Sequence, residues 1–277
     1  MIHGQAPMQS YYINLGSRTD RRAAMEQQLA TLGLAATRIE ATTPAGLSEQ
    51  MLERYGNPRR FHWLTSAELA CSDSHRLPLE ALIESGAPRA AIFEDDVVLS
   101  TALKPFLAAF DAAPPPFDLV RLETYDEPLR LSPGQDGIID GIALRRAYSW
   151  AAGAAGYIVS RRAAEIIVRS KAFRQTQVDR ALFNPYEPLA RRISMRHADP
   201  GLCIQEDRLP GFVPNGTGSS LAADRQSRGA IERRLFWRRF GFSVRHWCGR
   251  ELRIGPQKLW HETLGGAKKQ RIPFKAN

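Results

Sequence analysis

Cysteine is scarce in this chain, which has three, Cys71, Cys203 and Cys248, among 277 residues. An odd number of cysteines without the spacing of a metal finger argues against a disulfide framework and against a zinc site. Long apolar runs are also missing. None approaches the roughly 20 residues that span a bilayer, and residues 1–9 lack the apolar core of a signal peptide. We therefore expect a cytoplasmic location.

Acidic residues are nearly missing from the C-terminal part of the chain. Residues 225–277 contain fourteen Lys/Arg and three Glu, a net charge of +11, which leaves −2 for residues 1–224 of a chain whose net charge is +9. This asymmetry predicts a tail that meets an anionic surface, either phospholipid or nucleic acid. No nucleic acid is expected as partner, because the body lacks the basic charge of a nucleic-acid cleft.

Aromatic residues alternate with the basic ones in this tail, namely Phe236, Trp237, Phe240, Phe242, Trp247 and Trp260. Basic and aromatic side chains together suit the headgroup region of an anionic membrane. We therefore expect peripheral contact with the inner face of the plasma membrane. Packing of the same aromatics onto the body is the alternative, since residues 231–240 do not separate into apolar and basic helix faces.

Three consecutive carboxylates, Glu94, Asp95 and Asp96, follow the apolar run 90–93. A continuous apolar run of this length is typical of a strand that is covered on both faces. Ligands bind at the carboxyl ends of strands in open α/β sheets, and oxygen donors suit Mg²⁺ or Mn²⁺. The alternative is that Asp95 and Asp96 cap a helix or pair with arginines.

Predicted strands and helices alternate along the chain. Residues 10–15 have the composition of a first strand, and Asp20 is placed to cap a helix over 21–32. Arg18, Arg21 and Arg22 lie where the N-terminus of that helix favours anions. A capping box at Thr65 predicts a further helix. The alternation predicts an α/β fold with a mixed, mostly parallel sheet flanked by helices.

Several of these segments resemble, in the same order, those of glycosyltransferase family 25, which includes lipooligosaccharide galactosyltransferases and related collagen galactosyltransferases. The likeness runs from about residue 11 to residue 220. Three positions depart from it: Ala67 and Ala70 stand where the family usually has Gly, and Gly156 stands where it more often has Ala. The matching segments are Tyr12-Ile13-Asn14-Leu15 with Arg18, residues 64–75, residues 84–88, Ile92-Phe93-Glu94-Asp95-Asp96, residues 117–120, residues 155–164 and residues 178–183.

The resemblance implies a GT-A type transferase over residues 1–222, with residues 223–277 as a basic, aromatic extension. It further implies a divalent cation, Mn²⁺ or Mg²⁺, and inverting transfer of a sugar, typically galactose, from a UDP-sugar donor to a glycan or glycolipid acceptor. Glu94 and Asp96 would be the metal ligands. The nucleotide site would include Asn14, Leu15, Arg18, Glu94 and Asp95.

Inverting transfer needs a carboxylate that takes the proton of the attacking hydroxyl. Asp179 is the candidate, because it lies more than eighty residues beyond the metal motif and the resemblance places it on the acceptor side. Asp207 and Glu206 are the reserve candidates, and His197 or Gln205 is considered as a third metal ligand. Two further hypotheses stay open: a non-catalytic sugar-nucleotide-binding or scaffold protein, and a nucleic-acid-binding protein that uses the basic tail.

Overall fold

The computed structural model describes residues 8–60, 62–209 and 265–276, together with residues 254–261 and the single positions 229, 231, 233, 248, 252 and 263. The predicted boundary between residues 222 and 223 lies outside the described residues, as do the tail aromatics except Trp260, whose side chain is exposed. In the described part of the chain, no helix is both long and apolar enough to cross a membrane.

Strands and helices alternate as the sequence predicts. The strands are β1 (Gln9–Asn14), β2 (Thr37–Glu40), β3 (Arg89–Glu94), β4 (Val97–Leu99), β5 (Leu119–Arg121), β6 (Glu123–Thr124), β7 (Leu129–Leu131), β8 (Gly137–Ile139), β9 (Ile142–Arg145), β10 (Gly156–Ser160), β11 (Met195–Asp199), β12 (Cys203–Gln205) and β13 (Lys268–Gln270). The helices are α1 (Thr19–Leu32), α2 (Glu49–Tyr55), α3 (Ser66–Ser85), α4 (Leu103–Ala112), α5 (Arg161–Val168) and α6 (Val178–Phe183).

The main sheet has eight strands in the order β2-β1-β3-β10-β5-β11-β9-β8. β1 runs parallel to β2 and β3, β5 runs parallel to β11, and the four remaining pairings are antiparallel. Six strands therefore point in one direction, and β10 and β9 point in the other. This confirms the predicted α/β fold with a mixed, mostly parallel sheet.

Helices cover both faces of this sheet. Ile92, Tyr157 and Leu119 belong to one apolar cluster, which α3, α5 and α6 complete. Phe93 and Val120, their neighbours along the strands, belong to a second cluster with α1 and α4. Because successive strand residues face opposite sides, a strand between two helical layers is apolar at every position. That is why residues 90–93 form a continuous apolar run.

Local sequence signals account for α3, the helix that later carries part of the site. The hydroxyl of Thr65 accepts a hydrogen bond from the backbone N–H of Glu68, and the Glu68 carboxylate accepts one from the N–H of Thr65. This capping box satisfies two of the four free N–H groups at the helix start. The helix continues through Pro78 and ends at Gly86.

One local prediction differs from the structure. Asp20 does not cap α1: the helix begins at Thr19, no side chain caps it, and Asp20 lies in its first turn as the ion-pair partner of Arg18. Residues 134–141, which are rich in glycine, contain β8 in addition to a loop. Among the described residues β8 pairs with β9 alone, at the edge of the main sheet. A strand of 3 residues is too short to show a clear hydrophobic alternation.

Residues near the C-terminus pack against the body. β13 pairs with β7 in an antiparallel ladder, Gly201 forms a bridge with Phe274, and the Ile272 side chain is buried. The Thr124 hydroxyl donates a hydrogen bond to the carbonyl of Ile272. Part of the predicted extension therefore belongs to the packed structure of the body.

Gly156 shows why a small residue is needed in β10. A Cβ atom added at this position would overlap the Sγ atom of Cys203, which belongs to β12. Both residues are fully buried, so neither the strand nor the sulfur can move aside without disturbing the core. The Cys203 sulfur thus fills the space that an alanine methyl group would take at position 156.

We expect Gly156→Ala to destabilise the fold by about 1–3 kcal/mol, the usual cost of overpacking a core, as measured by urea unfolding. Gly134→Ala is the matched control, because a Cβ atom there meets nothing within 4 Å. In a Cys203→Ala background the cost of Gly156→Ala should fall, since the colliding sulfur is gone. Purely additive effects of the two substitutions would contradict this account.

Candidate active site

The three consecutive carboxylates lie at the carboxyl end of β3. Glu94 ends the strand, Asp95 and Asp96 form the turn, and β4 follows. The parallel neighbour β1 ends beside them at Asn14, whose side-chain amide donates a hydrogen bond of 2.6 Å to Asp95 Oδ2. Arg38 in turn donates to Asn14 Oδ1 at 2.9 Å. Asn14, predicted as a nucleotide contact, therefore holds Asp95 in place.

One arginine neutralises part of this charge. The Arg21 guanidinium lies 2.9 Å from Asp96 Oδ2 and 3.4 Å from Asp95 Oδ1. The alternative that arginines pair with these acids is therefore realised in part. A single guanidinium faces two carboxylates, and Glu94 beside them adds a third negative charge.

Asp96 keeps an unsatisfied oxygen. Its Oδ1 atom is buried and has no hydrogen-bond partner among the described residues. Burial and the nearby Glu94 raise the pKa of Asp96 to about 7. Burying a carboxylate oxygen without a hydrogen-bond donor costs free energy. Hard divalent cations bind carboxylate oxygens of this kind as ligands. The residues present therefore fit the predicted cation.

His75 positions Glu94 from the opposite side. Its Nε2 atom lies 3.0 Å from Glu94 Oε1, and its Nδ1 atom lies 3.0 Å from the hydroxyl of Tyr157. Burial raises the pKa of Tyr157 well above its ordinary value, so this hydroxyl keeps its proton. An arrangement that satisfies all three groups has Tyr157 donating to Nδ1 and Nε2–H donating to Glu94. The histidine of α3 is thus a hydrogen-bonding residue that fixes a predicted metal ligand.

Cys71 lies one helical turn before His75. Donor atoms of Cys71, His75 and Glu94 lie within 4.8 Å of one another. Thiolate and imidazole donors suit zinc better than Mg²⁺ or Mn²⁺. However, burial and Glu94 raise the pKa of the Cys71 thiol, which disfavours the thiolate that a metal would need. We therefore assign His75 and Glu94 to their hydrogen bond, with Cys71 packed beside them.

Glu123, which the sequence analysis does not single out, is the most deeply buried acid of the site. Its Oε2 atom accepts hydrogen bonds from Arg121 at 3.1 Å and from the backbone N–H of Ala155 at 2.9 Å. Its Oε1 atom is buried without a hydrogen-bond partner in the described part of the chain. Burial raises the pKa of Glu123 to about 8, and Glu94 and Asp96 contribute to the shift. Glu123 therefore belongs to the same carboxylate cluster.

A weak signal for Glu123 exists in the sequence. Arg121 and Glu123 are charged residues two positions apart that directly follow the apolar run of a predicted strand, so they share one face of the chain. Glu123 comes close to Glu94 only through the order of the strands in the sheet, in which β10 separates β3 from β5. Spacing along the chain does not reveal that order.

Asp179 reaches the site from α6. Its Oδ2 atom accepts a hydrogen bond of 3.2 Å from the backbone N–H of Gly153, and its Oδ1 atom accepts one of 2.7 Å from the N–H of Arg180. Gly153 has a φ of +86°, and a Cβ atom there would collide with the Glu123 carboxylate. The loop over residues 151–155 thus joins Asp179 to Glu123.

The electrostatic neighbours of Cys71 show that Asp179 lies near the acids of β3. Glu94 and Asp179 both raise the pKa of the Cys71 thiol, after burial. The structure therefore brings the predicted base and the predicted metal ligands to one region. The guanidinium of the next residue, Arg180, pairs through Nε with Glu187 at 3.0 Å.

The remaining predicted residues lie at different distances from this cluster. Arg18 pairs with Asp20 at 2.8 Å, and its backbone N–H donates to the carbonyl of Leu15 in the turn before α1. The backbone N–H of Glu206 donates to the Asp96 carbonyl at 2.9 Å, and Asp207 contributes to the raised pKa of Asp96. Asp207 therefore lies near Asp96, one of the predicted metal ligands.

The two predicted third metal ligands differ. Gln205 pairs in register with Val97, next to Asp96. His197 lies in β11, three strands from β3 in the sheet, which corresponds to about 14 Å. Burial lowers the pKa of His197 to about 3, and its ring lies 6.4 Å from that of Phe183. His197 is therefore wrong as a ligand of an ion held by Glu94 and Asp96.

Comparison with known proteins identifies this arrangement. The sequence model of "Glycosyltransferase family 25 (LPS biosynthesis protein)" matches residues 8–182. The lacto-N-neotetraose biosynthesis glycosyltransferase LgtB of Neisseria gonorrhoeae is 30% identical over 244 residues, which cover 83% of this chain and 85% of the relative. The lipooligosaccharide biosynthesis protein lic2B of Haemophilus influenzae is 27% identical over 213 residues, which cover 72% and 77%.

The family model and these relatives define the class of a chain whose α/β sheet carries an acidic cluster at the end of its third strand. The chain belongs to glycosyltransferase family 25, and it is a glycosyltransferase. LgtE of Neisseria meningitidis, also a lacto-N-neotetraose biosynthesis glycosyltransferase, is similar over a comparable length, with 28% identity over 82% of this chain and 85% of the relative.

The raised pKa of Glu123 gives a pH prediction. Its pKa is about 8 in the fold against an ordinary 4.5, so between these values the folded protein binds a proton that the unfolded chain has lost. The contribution of Glu123 to stability therefore decreases as the pH rises through this window, by about 1.4 kcal/mol per pH unit. Glu123→Gln should remove this decrease in urea unfolding of the metal-free protein between pH 5 and pH 8.

Glu127→Gln provides the matched control, since Glu127 is exposed four residues further along the chain. Its stability curve should follow that of the unmodified protein at every pH. If Glu123→Gln also ran parallel to the unmodified protein, Glu123 would be an ordinary ionised acid and the account of the buried cluster would be wrong.

Proposed function

We propose that this glycosyltransferase is metal-dependent and inverting, and that it moves a sugar, galactose in the simplest case, from a UDP-sugar to a hydroxyl of a lipooligosaccharide or lipopolysaccharide acceptor. The observation that carries the proposal is the unsatisfied, buried carboxylate oxygen of Asp96 beside Glu94. The names of the relatives, which refer to lacto-N-neotetraose and lipooligosaccharide biosynthesis, support the choice of acceptor.

Glu94 and Asp96 would hold the cation, Mn²⁺ or Mg²⁺. When bound, such an ion neutralises the charge that develops on a diphosphate leaving group. His75 and Tyr157 keep Glu94 oriented, and Arg21 compensates the acids on the side of α1. In this proposal the turn from Leu15 to Arg18, at the N-terminus of α1, lies beside the nucleotide, where backbone N–H groups favour phosphate.

Asp179 would accept the proton of the attacking hydroxyl. Two backbone N–H groups, those of Gly153 and Arg180, donate to its two oxygens and hold the carboxylate in position. Asp207 is the weaker candidate, because it lies on the side of Asp96 and its carboxylate pairs with Arg208 at 3.5 Å.

The location that we propose follows from the charge of the tail. A net charge of +11 over residues 225–277 favours peripheral attachment to an anionic leaflet. A lipid-linked acceptor would be presented at such a surface, so attachment and acceptor would be found together.

Asp96→Asn should abolish transfer and remove the response to Mn²⁺ while the fold persists. A loss of about a thousandfold is expected, because a catalytic cation supplies several kcal/mol. Stability should not fall, since the amide keeps the Arg21 contact and no longer buries a charge. The measurements are transfer from UDP-galactose with and without Mn²⁺, and the UDP-dependent thermal shift.

Asp140→Asn is the control for this experiment. Asp140 is an exposed turn residue with a φ of +47°, a conformation that asparagine tolerates. The control should retain both transfer and metal response. Full activity of Asp96→Asn would exclude the metal motif.

Asp179→Asn tests the base. It should lower kcat by about 10²–10⁴-fold, the usual contribution of general base catalysis, and leave the KM for the UDP-sugar nearly unchanged, because the donor binds on the other side of the site. An amide oxygen can still accept from Gly153, so the 151–155 loop should stay in place. A rise in the donor KM with little change in kcat would assign Asp179 to donor binding instead.

A further inference from the structure

Exposed apolar side chains are concentrated in one helix near the C-terminus. This C-terminal helix is described over residues 254–261, and positions 252 and 263 are helical too. Leu252 is 78% exposed, Leu259 63% and Trp260 59%, which makes three of the five large hydrophobic side chains that are exposed among the described residues. Single exposed hydrophobic residues are normal, whereas a group of them marks an interaction site.

The exposed side chains share one face of this helix. With 3.6 residues per turn, Leu252, Leu259 and Trp260 project within about 100° of one another, and the exposed Thr263 lies between them. A surface helix of a globular protein normally turns its apolar stripe toward the core and its polar residues toward water. In the C-terminal helix the outward face is itself apolar.

The opposite face packs onto the body. Ile254 is buried, and the His261 ring stacks on that of Tyr148 with 3.9 Å between centroids. Lys258 Nζ lies 5.6 Å from the centre of the Tyr186 ring. The helix is therefore attached to the body through one side, and its apolar outward face is left for a partner.

Basic residues lie close to this outward face. The backbone N–H of Gly265 donates to the carbonyl of Trp260 at 2.9 Å, so the chain turns tightly at the helix end and enters β13 directly afterwards. Lys268 and Lys269 of β13 are both exposed. They belong to the segment 225–277, whose net charge is +11. Apolar side chains with basic residues beside them fit a bilayer that contains anionic lipid.

The same charge argues against two other partners. A second copy of the chain would bring another net charge of +11 to the contact, and the two segments would repel each other. Nucleic acid would attract the lysines, but its contacts with protein go mostly to phosphate and sugar, which give leucine side chains no apolar surface. An anionic bilayer satisfies the apolar and the basic side chains together.

We propose that the outward face of the C-terminal helix docks on an anionic bilayer, with Leu252, Leu259 and Trp260 inserted at the boundary of headgroups and acyl chains and Lys268 and Lys269 at the lipid phosphates. Tryptophan is enriched at that boundary in membrane proteins. This inference rests on the proposed membrane attachment. It adds the surface that makes the contact and the side of the helix that stays on the body.

The test is co-sedimentation of the full chain with vesicles of equal parts phosphatidylglycerol and phosphatidylethanolamine, and with vesicles of phosphatidylcholine. The unmodified chain should bind the anionic vesicles more tightly. Leu259→Ser and Trp260→Ser should each weaken that binding about tenfold, because each removes buried apolar surface. Lys268→Gln and Lys269→Gln should each weaken it about fivefold and should not affect the phosphatidylcholine vesicles.

Ile138→Ser is the matched control, because Ile138 is 64% exposed but belongs to β8. It should leave vesicle binding unchanged. Urea unfolding of Leu259→Ser without vesicles should match that of the unmodified chain, since the side chain is exposed. A loss of stability would show that the chain itself covers this face, and it would overturn the proposal.

Two further measurements assign the face to another partner if the proposal is wrong. A dimer in sedimentation velocity that Leu259→Ser dissociates would assign it to a second copy. Weaker binding of duplex DNA by Leu259→Ser would assign it to nucleic acid.

Vesicle binding that survives Leu259→Ser and Trp260→Ser would overturn the docking face and leave attachment by charge in place. No vesicle binding by the unmodified chain would overturn both. Transfer from UDP-galactose to a soluble acceptor, measured on the same samples, should be unchanged in every variant. Its absence from the unmodified chain would count against the proposed reaction instead.

Discussion

The structure depends on how a group of carboxylates is kept together at one edge of the sheet. Glu94, Asp95, Asp96 and Glu123 converge there, and Arg21 and Arg121 form ion pairs with three of them. Mutual repulsion in a poorly hydrated region is unfavourable unless something cationic compensates it. Much of the surrounding fold serves to hold these acids: an asparagine from β1, a histidine from α3, and a backbone N–H from the loop before β10. This arrangement is consistent with the proposed binding of a cation and an anionic nucleotide.

Local signals predicted what depends on neighbouring residues. The capping box of α3 and the apolar run of β3 each depend on contacts within a few positions, and both are present. Glu123 and the link from His75 to Glu94 could not be predicted in the same way. Each joins residues from elements that become neighbours only through the strand order, and an antiparallel β10 inserted between β3 and β5 is not encoded in any short pattern. Asp20 failed as a cap because its carboxylate pairs with Arg18.

A departure from the family pattern also has a structural explanation. The family more often has alanine where this chain has Gly156, and here the sulfur of Cys203 occupies the space of the missing methyl group. The two positions belong to β10 of the main sheet and β12 of the three-stranded sheet, so the sulfur packs one sheet against the other at this point.

The pairing of β13 with β7 shows that the end of the basic segment is part of the folded body. The backbone N–H of Glu206 donates to the Asp96 carbonyl, and near the C-terminus the Ile272 carbonyl accepts from Thr124, the neighbour of Glu123. Two positions on either side of the basic segment are therefore bonded beside the carboxylates. Deleting everything beyond residue 222 would strip β7 of its partner strand and uncover Ile272's packing site. Such a truncation would destabilise the body itself. Point substitutions within the intact chain are therefore the better test of the basic and aromatic residues.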